Sequence, residues 1–570
     1  MARKELAVDT VAEAYLALLA ERGVDYLFAK AGTDFAPLVE AFAKAARTGL
    51  PVPQPVLATH ENLAFSMAHG YAMVTRRVPA VMVHVSVGTA NGVCGVLNAA
   101  RDNVPILFTA GRSPLTETGL PGARDVYIHW AQEMFDQAGM LREIVKWDYE
   151  LRNGEQLETV IDRALSIATT PPGGPVYLSL PREVLAAPLP GFSYDSPTRR
   201  VAAAPPSPDK GAIEEAARIL GAAESPLIIT ASAGRDPAAV EALANFARRF
   251  AIPVVQHRPR HLCLPADHPC HLGYDAGPYL DHADAILVLE CDVPWIPSLE
   301  APRSESRVIH LGIDPLFSRY PIRGFPCDLA VTGAAAAALP ELGVALDRHA
   351  AASAVSERRR RLAEQCEALV AGWEKTRESV AHMRPIHMAW ASTCIGRVKP
   401  EDAILVNEYT LMLEHCGSNL PGSYFGSSTA SGLGWGGGAA LGAKLAAPDR
   451  LVIAVLGDGS HLFGNPVAVH HASAMHRLPI LFVVMNNSMW GAVRRATLGM
   501  YPQGEAARSN KPPLIDLDEL PAFEEVCAAA GGYGERVEDP AALPAALDRA
   551  VRAVTVEKRQ ALLNVICRGV

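Results

Sequence analysis

The chain lacks what a nucleic acid, a membrane or an oxidising compartment would ask of it. Its 570 residues carry 52 Lys and Arg against 61 Asp and Glu, a formal net charge of −9. No basic stripe offsets that balance. The Arg76, Arg77 pair and the run from Arg358 to Arg361 are short and flanked by acidic or apolar residues, as on solvated helix faces. A nucleic-acid partner is therefore not expected. No uncharged apolar run reaches the roughly 18 residues that suggest a membrane span. The N-terminal MARKELAVDTVAEAYLALLAERG is interrupted by acids, so it reads as a first helix and not as a signal peptide. Ten cysteines stand singly without a CxxC pair, which fits reduced cytoplasmic thiols better than a disulfide framework or a zinc site. No short tandem repeat is present.

What the chain does have is length and a repeated alternation. A polypeptide of this size exceeds one hydrophobic core and divides into about three or four domains. Short apolar runs alternate with helix-length patterns: QPVLAT, AVMVHVSV and PILFTA, then LIIT, PVVQ, AILVLE and RVIHLGID, then AILVNE, LVIAVLGDG, PILFVVMNN and ALLNVIC. That order predicts α/β units built on doubly wound parallel sheets. The Pro-rich stretch 187–210 reads as a linker and the charged stretch 347–383 as a connecting helix. These seams place units at 1–186, 208–345 and 384–570. Open parallel sheets bind ligands at the carboxyl ends of their strands, so chemistry is sought there.

One such end is LVIAVLGDGSHLFGNP. The strand stops at Asp458, flanked by Gly457 and Gly459, which let a ligand approach the backbone. A buried carboxylate is costly unless a positive partner meets it. Asn465-Pro466 has the chemistry of a helix start, and the next strand, PILFVVM, ends at Asn486-Asn487. Asp458 and Asn487 thus end two consecutive strands. A carboxylate, an amide oxygen and a main-chain carbonyl form an all-oxygen set for a hard divalent cation that binds phosphate oxygens. Gly432, Gly434 and Gly437 also fit GxGxxG, but GSSTAS before them is no strand, so a dinucleotide reading is set aside.

GDG followed after 26 residues by NN, in a chain of three α/β units, resembles the thiamine-diphosphate enzymes, and the similarity runs along almost the full length. The resemblance implies a pyrimidine-binding, a central and a diphosphate-binding domain, in that order. It implies thiamine diphosphate and Mg²⁺ as cofactors, with Asp458, Asn487 and the carbonyl of Met489 on the metal. Gly432, Leu433, Gly457, Gly459 and Ser460 would line the cofactor, Leu433 as the bulky wedge beneath it. HLFGNP is longer than the family's usual loop after GDG.

Within that family the chain is most similar to the benzoylformate decarboxylase and acetolactate synthase group. In ATHENLAFSMAHGYA, Glu61 matches the glutamate that bonds the cofactor's pyrimidine ring. His84, expected inside the strand AVMVHVSV, matches a histidine that handles protons near the reacting carbonyl. Thr33 and Asp34 fall where relatives contact substrate, and Trp490, Val493 and Arg495 where the pocket is lined. Arg494 and Ala496 belong to the same stretch. Trp295, between Pro294 and Pro297, would form a rigid loop reaching the site, in a central domain without a nucleotide.

The implied activity is a cytoplasmic lyase or carboligase on a 2-oxo acid or acyloin, assembled as a homodimer or homotetramer with the site between subunits. Acetolactate-synthase-like carboligation and a hydroxyacyl-CoA lyase or oxalyl-CoA decarboxylase are alternatives. A catalytically silent cofactor-binding scaffold is the non-enzyme reading.

Overall fold

The computed structural model describes residues 3–509 and 511–568. Three separate parallel sheets carry the chain. The first has six strands, in the spatial order Gln54–Leu57, Tyr26–Ala29, Ala80–Val83, Leu107–Arg112, Val176–Pro181 and Asp148–Glu150. The central one has five: Val254–Gln256, Pro226–Thr230, Ala285–Leu289, Arg307–Gly312 and Leu329–Thr332. The last has six again: Tyr424–Gly426, Ile404–Glu408, Val452–Gly457, Leu481–Asn486, Ala561–Ile566 and Tyr533–Val537. Central strands such as Ala285–Leu289 and Leu481–Asn486 are buried along their whole length. Helices therefore cover both faces, as continuous apolar strands require.

Two expectations need adjustment. The Pro-rich stretch 187–210 is not all linker, because Phe192–Asp195 pairs antiparallel with Arg3–Leu6 and ties the N-terminus back to the first unit. AVMVHVSV is not one strand either. It ends at Val83, and His84 becomes the cap of the helix Val85–Arg101. The charged stretch after the central sheet forms a 29-residue helix, Ala352–Val380, with Arg358, Leu362 and Val380 as its buried positions. Among the described residues no helix is long and apolar enough to cross a membrane.

The first and last units meet through two helices, Glu61–Thr75 and Trp435–Ala446, packed backbone to backbone. A Cβ at Gly70 would lie 2.0 Å from the Ala439 carbonyl oxygen, and one at Gly442 would lie 1.9 Å from that of Met67. Gly438 would place its Cβ 2.5 Å from the Ser66 side chain. No side chain fits between the helices at these points, so the glycines set their separation.

Gly442→Val is therefore expected to force the two units apart. Overpacking of this kind costs about 1–3 kcal/mol, and more where backbone must move. Differential scanning calorimetry should show a lower melting temperature for this variant, whereas Gly372→Val, on the exposed connecting helix, should not shift it comparably; equal melting of both variants would refute the close contact.

Candidate active site

In the last unit Val452–Gly457 and Leu481–Asn486 are parallel neighbours, with Gly457 opposite Met485. Asp458 therefore ends one strand beside the strand that delivers Asn487. Asp458 is 3% exposed, and its Oδ2 has no hydrogen-bond partner. Burial pushes its carboxyl above the usual carboxylate range, opposed by the backbone N–H groups of Gly459, Ser488 and Met489. Thr410 Oγ1 is likewise buried without a partner, and its methyl lies 3.5 Å from where a Cβ on Gly457 would sit. A Cβ on Gly459 would meet the Trp490 ring at 2.4 Å.

The loop beyond Asp458 is ordered by capping. Residues Asp458–Phe463 form a short helix, Gly464 packs on Gly434, and Asn465 caps the helix Pro466–Met475 with its side chain on the Ala468 N–H. The HLFGNP segment is taken up by the end of that short helix and the cap of the next. Across the cleft, Ser488 adopts a left-handed φ of 54°. That turn lets Asn487 Oδ1 accept from the Met489 N–H at 3.2 Å, while the Met489 carbonyl accepts from Gly491 at 3.0 Å. Trp490 and Arg494 are half-buried, and Val493 and Arg495 are exposed.

A second buried carboxylate was not singled out from the sequence. Glu408 ends the strand Ile404–Glu408 and accepts the N–H groups of Gly434 at 2.8 Å and Gly436 at 2.6 Å. Burial raises its pKa, and those N–H groups and the Ser460 hydroxyl oppose the rise. Glu408 so fixes the turn Gly432–Leu433–Gly434, in which Gly434 takes a φ of 77°. The clue was present: a polar pair, Asn407-Glu408, closing an apolar strand, as in the Asp458 segment.

The first unit brings its polar residues to one sheet edge. Glu61 opens the helix after strand Gln54–Leu57, is 7% exposed, and accepts from Asn91 Nδ2 at 2.5 Å. Its neighbour Asn62 donates to the Leu433 carbonyl at 3.5 Å, and Asn98 exchanges two hydrogen bonds with Gly432, at 2.9 and 3.0 Å. Glu61 therefore stands beside the turn that Glu408 holds. His84 ends the strand Ala80–Val83, and its Nδ1 is 2.6 Å from Asp34 Oδ1. Asp34 is buried, whereas Thr33 beside it is exposed and its carbonyl accepts from Arg182 at 3.5 Å. Trp295 does not reach this region. It lies in the central core, edge-on to Phe325 at 5.4 Å and fully buried.

Residues 9–140 match the model of the N-terminal TPP binding domain of thiamine pyrophosphate enzymes, residues 213–342 their central domain, and residues 408–565 their C-terminal TPP binding domain. The chain belongs to the thiamine pyrophosphate enzyme family. It is 27% identical to a benzoylformate decarboxylase of Pseudomonas aeruginosa over 92% of this chain and 93% of the relative. An acetolactate synthase large subunit of Haemophilus influenzae is 24% identical over 95% and 91%. A solved 4-hydroxybenzoylformate decarboxylase of Rhodococcus jostii shares the fold, with a TM-score of 0.76 at 22% identity over 98% of this chain and 99% of that one.

For a thiamine pyrophosphate enzyme the donor chemistry of the last unit is suitable. Unpartnered buried oxygens on Asp458 and Thr410, the Asn487 amide and the Met489 carbonyl are hard ligands, and the glycines beside them leave room for phosphate oxygens. Among the described residues no group of three His, Cys, Asp or Glu could hold a metal. A cation here would instead draw on amide and carbonyl oxygens.

Burial of an uncompensated Asp458 makes a prediction with a definite sign. Because its folded carboxyl is raised, the ligand-free fold holds the proton more tightly than the unfolded chain does, and this contribution is lost as pH rises through the raised value. Near neutral pH, ligand-free Asp458→Asn is expected to melt at or above the parent temperature. Thiamine diphosphate with a divalent cation should raise the parent's melting temperature and leave the variant's nearly unchanged. Equal stabilisation of both proteins would remove Asp458 from the cation site.

Proposed function

We propose that this enzyme is a thiamine diphosphate and Mg²⁺ dependent lyase that removes CO₂ from a 2-oxo acid. The observation that carries the reading is the buried carboxylate of Glu61 on the same strand-end edge as His84, beside the Gly432–Gly434 turn of the last unit. Family membership and the similarity to a benzoylformate decarboxylase support the substrate class. Asp458, Asn487 and the Met489 carbonyl are the proposed Mg²⁺ ligands. Gly432, Leu433, Gly457, Gly459 and Ser460 line the cofactor in this reading. When bound, thiamine diphosphate supplies an electrophilic thiazolium that takes up the electron pair released with CO₂.

The chain's own residues then bind, orient and move protons. Glu61, its position kept by the Asn91 amide, would hold the cofactor's aminopyrimidine and carry a proton at its carboxylate. His84 handles the proton of the reacting carbonyl at Nε2, general acid–base work that contributes about 10²–10⁴-fold in rate. Trp490 and Val493 border the substrate, and Arg495 pairs with its carboxylate through a bidentate guanidinium. The assembly is a cytoplasmic homodimer or homotetramer. Similarity to an acetolactate synthase favours one second outcome, ligation of the decarboxylated unit to another carbonyl.

The decisive experiment supplies the enzyme with thiamine diphosphate, Mg²⁺ and a panel of aromatic and aliphatic 2-oxo acids, and measures CO₂ and carbonyl products together. CO₂ matched by free aldehyde supports the decarboxylase, and CO₂ matched by hydroxyketone the carboligase. No CO₂ from any acid would overturn the reading. Glu61→Gln should lower kcat by at least about tenfold while cofactor binding, followed by tryptophan fluorescence, is retained. Undiminished turnover would take Glu61 out of the proton relay.

A further inference from the structure

Asp34 lies next to the position where relatives contact substrate, yet its carboxylate has both oxygens engaged inside the protein. Oδ1 is 2.6 Å from His84 Nδ1, and Oδ2 accepts the backbone N–H of Val85 at 3.3 Å. The side chain is 3% exposed. The pair has been given space from two directions. A Cβ on Gly32 would fall 2.2 Å from His84 Nδ1, and one on Gly111 would fall 1.8 Å from Asp34 Oδ2. Val85, a β-branched residue, sits at φ 30°, a conformation that persists only where its surroundings enforce it. Asp34 holds that turn by its bond to the Val85 N–H.

The other face of the imidazole meets an amide: His84 Nε2 lies 3.4 Å from the Gln132 side-chain nitrogen. The Gln132 main chain is held by Ser86 Oγ, which donates to its backbone carbonyl at 2.7 Å. The carboxylate at Nδ1 calls for an N–H there, which leaves Nε2 as the nitrogen free to exchange protons. His129, on the short helix Ile128–Ala131, is the other imidazole within electrostatic reach; burial pushes its pKa down, with Arg182, Arg124 and His84 adding to the effect against Asp125.

We propose that Asp34 is a positioning residue that keeps the His84 Nδ1 protonated, so that Nε2 is the nitrogen that exchanges protons with the oxygen of the substrate carbonyl. The inference rests on the reading of His84 as the proton carrier. In the cycle the Nε2–H of the imidazolium gives its proton to the carbonyl oxygen as negative charge develops there, and neutral Nε2 takes it back when the aldehyde carbonyl re-forms, while the Nδ1–H stays bonded to the Asp34 carboxylate. Both Asp34 oxygens are engaged inside the protein, so its effect passes through the ring and the Val85 turn that carries it.

The test is Asp34→Asn, which keeps the shape but offers an amide N–H where the carboxylate accepted one. The expected result is a fall in kcat of about 10²-fold or more with KM changed less than about threefold and thiamine diphosphate affinity kept. ¹⁵N–¹H spectra of the ligand-free, ¹⁵N-histidine-labelled protein read the tautomer without turnover, the His84 signal being assigned by its loss in His84→Gln. The parent should carry the proton on Nδ1, and the variant on Nε2. A rise in KM at unchanged kcat would make Asp34 a substrate contact and overturn the proposal, as would an unaltered tautomer in the variant. Should Asp34→Asn unfold, Asp34→Asn with Val85→Gly relieves the turn and must still show the low kcat and the switched tautomer. A parent that shows the Nδ1–H tautomer but releases no CO₂ from any 2-oxo acid would sink the proposed function and leave the tautomer lock standing.

Discussion

Everything in the site depends on two helices approaching without side chains between them. Glu61–Thr75 and Trp435–Ala446 touch through Gly70, Gly438 and Gly442, and only this separation lets Asn62 reach the Leu433 carbonyl and Asn98 reach Gly432. The helix starts are thereby brought together, Glu61 from the first unit and Gly434 from the last. The glycines of GLGWGGGAALG serve that contact. Gly436 gives its N–H to Glu408, while Gly438 and Gly442 receive the partner helix. The dinucleotide-like spacing of Gly432, Gly434 and Gly437 is a by-product of close packing, which explains why no strand precedes it.

Buried charge separates structural from functional carboxylates. Glu408 has its needs met by two backbone N–H groups, and Asp34 by an imidazole and one N–H. Arg260 is held between acids at the junction of the units, with Nη1 3.0 Å from Asp292 and Nε 3.7 Å from Asp102. Asp102 continues to His69 of the first unit at 3.4 Å, and Asp292 to Tyr320 and thence to Thr429 of the last. Breaking a buried pair of this kind costs about 3–5 kcal/mol, so the chain resists relative movement of all three units. Asp458 keeps a buried oxygen without a partner, as Asp102 does, but it stands at a strand end between two glycines, where a ligand can approach the backbone.

The sequence made the fold legible where burial is continuous. Every apolar run singled out contains a strand, because a chain buried on both faces has no room for polar alternation. Strands at or near sheet edges were harder to read: Asp148–Glu150, Leu329–Thr332 and Tyr533–Val537 are short and partly exposed, so their composition resembles that of loops. AVMVHVSV misled for a different reason. Its β-branched residues favour a strand throughout, yet the chain turns at Val85 because a distant acid, Asp34, captures its N–H. The place of Glu408 at a strand end was legible but its role was not, since its partners lie 26 and 28 residues away in the chain. Trp295 shows the converse: flanking prolines stiffen a loop but do not say which way it faces.

Long-range partners also explain how labour is divided between the units. The first sheet delivers polar side chains, each at the start of a helix: Glu61 at the first turn of Glu61–Thr75 and His84 as cap of Val85–Arg101. The last sheet delivers oxygen donors and bare backbone, with Asp458, Ser488 and Met489 at the ends of adjacent strands. A helix N-terminus favours anions by a fraction of an elementary charge, so carboxylates can be kept there while buried. That field alone would bind any anion. Selectivity has to come from groups whose orientation is fixed, and His84 meets that condition: Asp34 bonds its Nδ1 and Gln132 borders its Nε2, from segments 50 and 48 residues away. A strained Val85 is the cost of that placement, of order 1–3 kcal/mol, and it is borne by a turn that the dyad itself clamps.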